Sequence, residues 1–223
     1  NIEYLLTDFF GGEVSVVNSA RVGLYEILRF YGLTRCDNVL VPDFLGQCVL
    51  NIINKAGFPV KKADEKTKAM LLLHQWGYPQ RMDEVMVEAK KRNLLVIEDC
   101  AHSMDSTYKG RMIGSWGEAS IYSFSKIFSI VMGGAVVSKN HGLMEYINKE
   151  KKENGGLYLK LINEISYFVL KNARKRGSNH GNNFVEVCYS QFHRLVRPNS
   201  IVFAGFPDTK NDLSKDLQKR KSN

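Results

Sequence analysis

The residues whose types and spacing could do chemistry lie in one stretch, residues 94–138. Residues 94–97 form an apolar run of the kind that makes a strand buried on both faces. The run ends in Glu98-Asp99, which sets a carboxylate at the strand's C-terminal end, where open α/β sheets place their ligand chemistry. His102 follows three residues on. Residues 119–124 read as a second strand that leads to Lys126, with Ser123, Ser125 and Ser129 around it. A lysine so placed could form a Schiff base with a carbonyl cofactor. Asp99 could keep such a cofactor's ring nitrogen protonated, a charge–charge term of a few kcal/mol at an effective dielectric of about 20. His102 could bond a phenolic oxygen. Each residue also has an ordinary reading: a solvated surface lysine, a strand-end acid or helix cap, a loop histidine satisfied by backbone. Their occurrence together favours the chemistry.

The elements that must position these residues can be read from periodicity. Residues 14–17 form a short strand that runs into Asn18-Ser19-Ala20-Arg21 and a helix carrying Leu24, Ile27, Leu28 and Tyr31 on one face. Ser19 is its N-cap and Gly32 its C-terminal stop. That helix start offers free N–H groups and a positive dipole end to a phosphate, as any capped helix does, and Ser123 could add a hydroxyl. A strand at 39–41, a helix at 47–56, a short strand at 59–63 and a strand at 70–73 follow. Next come a loop over 74–79 and a helix with Met82, Val85, Met86 and Ala89 on one face. Gly133-Gly134 opens a further strand at 135–138. This alternation implies an α/β fold, a mainly parallel sheet sandwiched by helices.

Beyond Ser138 the character changes. Residues 142–152 look helical and charged, and 157–173 carry an amphipathic helical pattern. A turn-rich break spans 177–183, and a short apolar patch follows at 184–188. The lysine-rich stretch from Pro207 is expected to be poorly ordered. The organisation is therefore a core over 1–138, a divergent continuation over 139–206 and a loose tail over 207–223.

Of the 223 residues, 44% are hydrophobic and 11% aromatic, enough for a proper core. No run approaches the ~18–20 apolar residues of a membrane span, and no signal-peptide pattern opens the chain. A cytoplasmic protein is expected. The first residue is not Met, which leads us to expect a longer parent chain. Cys36, Cys48, Cys100 and Cys188 are widely spaced, so neither a disulfide framework nor a metal site is expected. The net charge of +8 is uneven: residues 1–138 hold 15 basic and 15 acidic residues, residues 139–223 hold 16 and 8. A basic back half fits an anionic partner or simply solvated helix faces. No nucleic-acid recognition motif accompanies it, so neither a nucleic acid nor a membrane partner is expected.

In order and in kind, these features resemble the DegT/DnrJ/StrS sugar aminotransferases, pyridoxal-phosphate enzymes with the aspartate-aminotransferase fold. The resemblance rests on Asn18-Ser19-Ala20-Arg21 with Gly23-Leu24, Val39-Leu40-Val41-Pro42, His74 with Gly77 and Pro79, and Val96 through His102. Its more specific parts are Tyr108-Lys109-Gly110-Arg111 with Gly114-Ser115-Trp116-Gly117, and Tyr122 through Lys126 to Gly133-Gly134. It implies pyridoxal 5′-phosphate as cofactor, Lys126 as the Schiff-base lysine and proton shuttle, and Asp99 on the pyridine nitrogen. By the same token His102 would meet the phenolic oxygen, and Ala20, Arg21 and Ser123 the phosphate. The implied activity moves an amino group, from glutamate, to a keto-sugar linked to a nucleotide. The implied assembly is a homodimer. The alternative is a truncated or degenerate member that binds cofactor or a partner without turnover. Ser123 precedes Lys126 by three residues, a shorter spacing than the family's common form. Gly46 stands where many members carry a ring-stacking aromatic, and residues 139–223 resemble the family's small domain poorly.

Overall fold

The computed structural model describes residues 2–128, 133–153, 207 and 209–221. The expectations for Ser129 and for residues 157–188 lie outside them. Among the described residues, seven strands form one sheet in the order β1-β9-β8-β5-β4-β2-β3. They are β1 (Glu13–Val17), β2 (Asn38–Leu40), β3 (Phe58–Val60), β4 (Thr67–Leu73), β5 (Leu95–Asp99), β8 (Ala119–Ser123) and β9 (Gly134–Ser138). Every neighbouring pair is parallel except those made by β9, which runs antiparallel to both β1 and β8. The sheet is thus mainly parallel and helix-covered, as the sequence implies.

Alternation of side chains across the pleat sends Val17, Ile97, Ile121 and Val136 to one face, where they pack with Leu24, Ile27 and Leu28. These come from α2 (Ala20–Phe30), and α3 (Gln47–Ala56) and α6 (His141–Glu153) complete that layer. On the other face Val14, Val16, Tyr122, Ala135 and Val137 meet α1 (Ile2–Phe10) and α7 (Lys210–Lys221). Met70, Leu72 and Val96 meet α4 (Met82–Lys91). Each such fully buried aliphatic contributes roughly 1.5–3 kcal/mol.

The caps of α2 are those its sequence calls for. Ser19 Oγ accepts the Val22 N–H at 3.3 Å. At the far end Gly32 takes φ +71°, the Gly32 N–H bonds to Arg29 O and the Leu33 N–H to Leu28 O, the paired bonds of a Schellman stop. A small hairpin, β6 (Thr107–Tyr108) with β7 (Arg111–Met112), turns through Lys109 and Gly110, both at positive φ. This is the geometry of a tight primed turn.

Three expectations are corrected. The short strand expected at 59–63 is Phe58–Val60. The stretch from 207 is not featureless: Lys210–Lys221 is helical, because Leu213 and Leu217 lie four apart and bury against the α1 face, while Lys210 pairs with Asp8 at 2.6 Å. The second strand stops at Ser123, and Phe124 opens α5 (Phe124–Ile127), so Lys126 sits on a single helical turn.

The sheet's carboxyl edge gathers the chemistry-bearing segments. β4 ends at Leu73 beside Asp99 at the end of β5, and Asp99 pairs with Ile121, two residues before Ser123. Gly134, the first residue of β9, pairs with both Ser123 and Val17. A Cβ there would lie 2.5 Å from both Ala20 N and Tyr122 O. The antiparallel strand thus packs against the first turn of α2 and can do so only as glycine. Gly134→Ala is expected to lower stability by roughly 1–3 kcal/mol, measured as a lower urea midpoint with unchanged slope. An unchanged midpoint would mean that β9 does not approach α2 this closely.

Candidate active site

Asp99 ends β5 and is 4% exposed. Its Oδ1 accepts the Ala101 N–H at 3.0 Å. Burial pushes its carboxyl above the usual carboxylate range, against the opposing pull of the Ala101 N–H and the Lys126 ammonium. Lys126 is therefore within electrostatic reach of Asp99, on the exposed side of α5. Ser123 stands at the head of α5 with its Oγ 3.4 Å from Ser125 Oγ, and it does not cap that turn.

Through Gly134, Ser123 neighbours the start of α2, where Ala20 is buried and Arg21 half-buried. His102 lies on the turn after Asp99, half-buried, its ring 5.4 Å from that of Trp76 and tilted by 30°. Trp76 holds φ +58° and is 74% exposed. A cavity of about 310 Å³ opens there, bordered by Trp76, His102, Asp105, Ile127 and, from α7, Leu217. Gly46, at the place of the expected ring-stacking aromatic, is the N-cap of α3 and has no side chain to offer.

The structure therefore sets Lys126 within electrostatic reach of Asp99, and places the first turn of α2, which carries Ala20 and Arg21, beside Gly134, the strand partner of Ser123. It sets His102 beside Trp76.

One arrangement escaped the sequence. Glu98 shares the face of Val96, behind Asp99, and is fully buried. Its Oε2 accepts from His74 Nε2 at 3.0 Å and Gly114 N at 2.7 Å. Its Oε1 accepts from Trp116 N at 2.7 Å and Gly117 N at 2.8 Å. A carboxylate has about four lone-pair sites, and four donors fill them. Because the Gln80 N–H donates to His74 Nδ1 at 3.3 Å, the ring's proton belongs on Nε2, which gives it to Glu98. His74, Glu98 and Cys100 have ligand atoms within 4.8 Å of one another, the spacing of a metal cluster. Here those atoms are already committed: Glu98 is saturated, and burial with two adjacent carboxylates holds the Cys100 thiol protonated. The signal in the sequence was the tandem Glu98-Asp99 in a buried strand, whose two carboxylates must point to opposite faces.

A mainly parallel sheet between helix layers is also the fold of the aminotransferase structures on which the chain superposes. Residues 59–156 match the model of the DegT/DnrJ/EryC1/StrS aminotransferase family, to which the chain is similar over that stretch. GDP-perosamine synthase of Escherichia coli O157:H7 is 32% identical over 151 residues, 59% of this chain and 42% of that protein. An aminotransferase from Psychrobacter cryohalolentis superposes with a TM-score of 0.63 at 25% identity, covering 70% of this chain and 45% of that one. NtdA from Bacillus subtilis, solved with bound cofactor PMP, shares the fold at a TM-score of 0.59 and 21% identity, over 65% of this chain and 37% of its own. The chain spans less than half the length of the curated relatives it matches. No described helix is long and apolar enough to cross a membrane.

The raised Asp99 carboxyl has a stability signature. The folded chain holds that proton to higher pH than the unfolded chain, so stability is lost as pH rises from about 4 through the raised value. Asp99→Asn should therefore raise the melting temperature of the cofactor-free chain at neutral pH, with the gain vanishing below about pH 4. Paired thermal melts at the two pH values check this; an equal or lower melting temperature at neutral pH contradicts it.

Proposed function

We propose that this chain is the cofactor-binding part of a pyridoxal 5′-phosphate-dependent aminotransferase that moves an amino group from glutamate to a keto-sugar carried on a nucleotide. The observation that supports it most is the buried Asp99 carboxyl under the field of Lys126, at the same sheet edge as the start of α2. Burial penalises the Asp99 charge, and a protonated pyridine nitrogen is the partner that would relieve the penalty. Two further features fit the cofactor. Gly134 keeps open, over the first turn of α2, the space a Cβ would fill. Asn18, in the turn leading into α2, buries an Oδ1 that meets no hydrogen-bond donor among the described residues.

In this reading the backbone N–H groups of Ala20 and Arg21, at the positive end of α2, bind the phosphate. The Arg21 guanidinium and the Ser123 hydroxyl add to that hold. Asp99 keeps the proton on the ring nitrogen, and His102 bonds the phenolic oxygen. Lys126 Nζ anchors the cofactor and moves a proton on and off the substrate carbon. The bound cofactor supplies the electron sink that makes that carbon acidic. The name of the perosamine synthase relative supports a nucleotide-linked sugar. A second copy of the chain as dimer partner, and a cytoplasmic setting, belong to the same proposal. A second reading, cofactor binding without turnover, draws on the exposed position of Lys126.

Adding pyridoxal phosphate should give a visible absorption band that borohydride fixes to Lys126. Lys126→Ala should lose both and drop turnover about 10³-fold or more. No spectral change with the wild-type chain would sink the proposal. A band that glutamate leaves unchanged would favour the reading without turnover.

A further inference from the structure

We propose that His74 is a positioning residue: locked by Glu98 as the neutral Nε2–H tautomer, it fixes the turn that carries both Asp99 and His102. The turn is stapled to His74 twice through the backbone. The His74 N–H donates to Asp99 O at 3.1 Å, and the Ser103 hydroxyl donates to His74 O at 2.7 Å. Within the turn, the Ala101 N–H reaches Asp99 Oδ1 and the Ser103 N–H reaches Cys100 O at 3.0 Å. The residue that receives these staples is held by its own ring on two sides, Nε2 on Glu98 and Nδ1 on the Gln80 N–H. His74 and Glu98 are both fully buried, so water cannot stand in for either contact.

The same Glu98 holds the 114–117 loop through three N–H groups, so that loop and the 74–80 loop share one anchor behind the strand end. Glu98 faces away from Asp99 across the pleat. Its influence on the site therefore passes through the His74 backbone. The structure assigns to this relay the spacing between the acid expected at the ring nitrogen and the imidazole expected at the phenolic oxygen. That last step rests on the cofactor reading above, while the mechanical coupling does not.

Two variants and one measurement on the intact chain separate the possibilities. His74→Leu removes the ring donor, and His74→Gln restores an N–H toward Glu98. In the cofactor-free protein, amide exchange at Ala101 and Ser103 should quicken at least about tenfold in His74→Leu and return toward wild type in His74→Gln, with β8 and β9 amides unchanged. With cofactor, the dissociation constant should rise about tenfold or more and the pH midpoint of the bound-cofactor band should shift in His74→Leu. His74→Gln should recover both. A uniform loss of protection across the sheet, or equal cofactor binding and band midpoint in His74→Leu and wild type, would overturn the relay. Should His74→Leu not fold, ring ¹⁵N shifts of His74 in the wild-type chain decide. A bare Nδ1 with a protonated Nε2 through neutral pH supports the locked tautomer, and an imidazolium or the reverse tautomer overturns it. Wild-type chain that binds no cofactor would sink the aminotransferase reading, while the exchange and ¹⁵N results would still decide the relay.

Discussion

A carboxylate removed from water must find a donor for each of its lone pairs, and in this fold that demand is met at Glu98. Desolvating the charge costs several kcal/mol. Four hydrogen bonds, one from His74 and three from backbone N–H groups, replace the water that burial removes. The three backbone donors come from one loop and the fourth from the loop after β4. Two segments far apart in the chain are therefore fixed to the end of β5 by a single group. The rest of the carboxyl edge is assembled around that fixed point.

Asp99, the next residue, lives under the opposite regime. It is almost as buried, but the protein leaves its charge under-compensated, and its carboxyl is driven upward. Neighbouring carboxylates, one saturated and one held at a cost, divide the strand end into a structural side and the side on which the proposed cofactor would sit. A local rule broken at one residue while satisfied at its neighbour is what a functional position would show. The arrangement also explains why a histidine, a glutamate and a cysteine can crowd together without their ligand atoms being free for a metal.

Much of the architecture was legible in the chain. Short apolar runs ending in turn residues gave β1, β2, β4, β5 and β8, and the Ser19 and Gly32 signals bracketed α2 as they stand. The place of Asp99 at a strand end was legible as well, whereas the single helical turn that separates Lys126 from its strand was not. The direction of β9 was not, since an apolar run looks the same read either way and only a tertiary partner orients it. The Glu98 cage was hidden for another reason: its donors are mostly backbone N–H groups, which every residue carries, 16 to 19 positions away. The helix at Lys210–Lys221 rested on two leucines in a polar stretch, too sparse an apolar face to outweigh its composition.

The two-residue period of β5 makes length and chemistry separate hazards at this edge. Replacing a side chain there removes one partner and leaves the other residues facing as before. Deleting or inserting one residue within the strand rotates every later side chain to the opposite face. A deletion ahead of Glu98 would bring Asp99, one methylene too short, to the saturated cage, and an insertion there would bring Glu98, one methylene too long, to the open edge. β5 can therefore accept a change of side chain more readily than a change of length, and inserted residues in this region belong in the loops on either side.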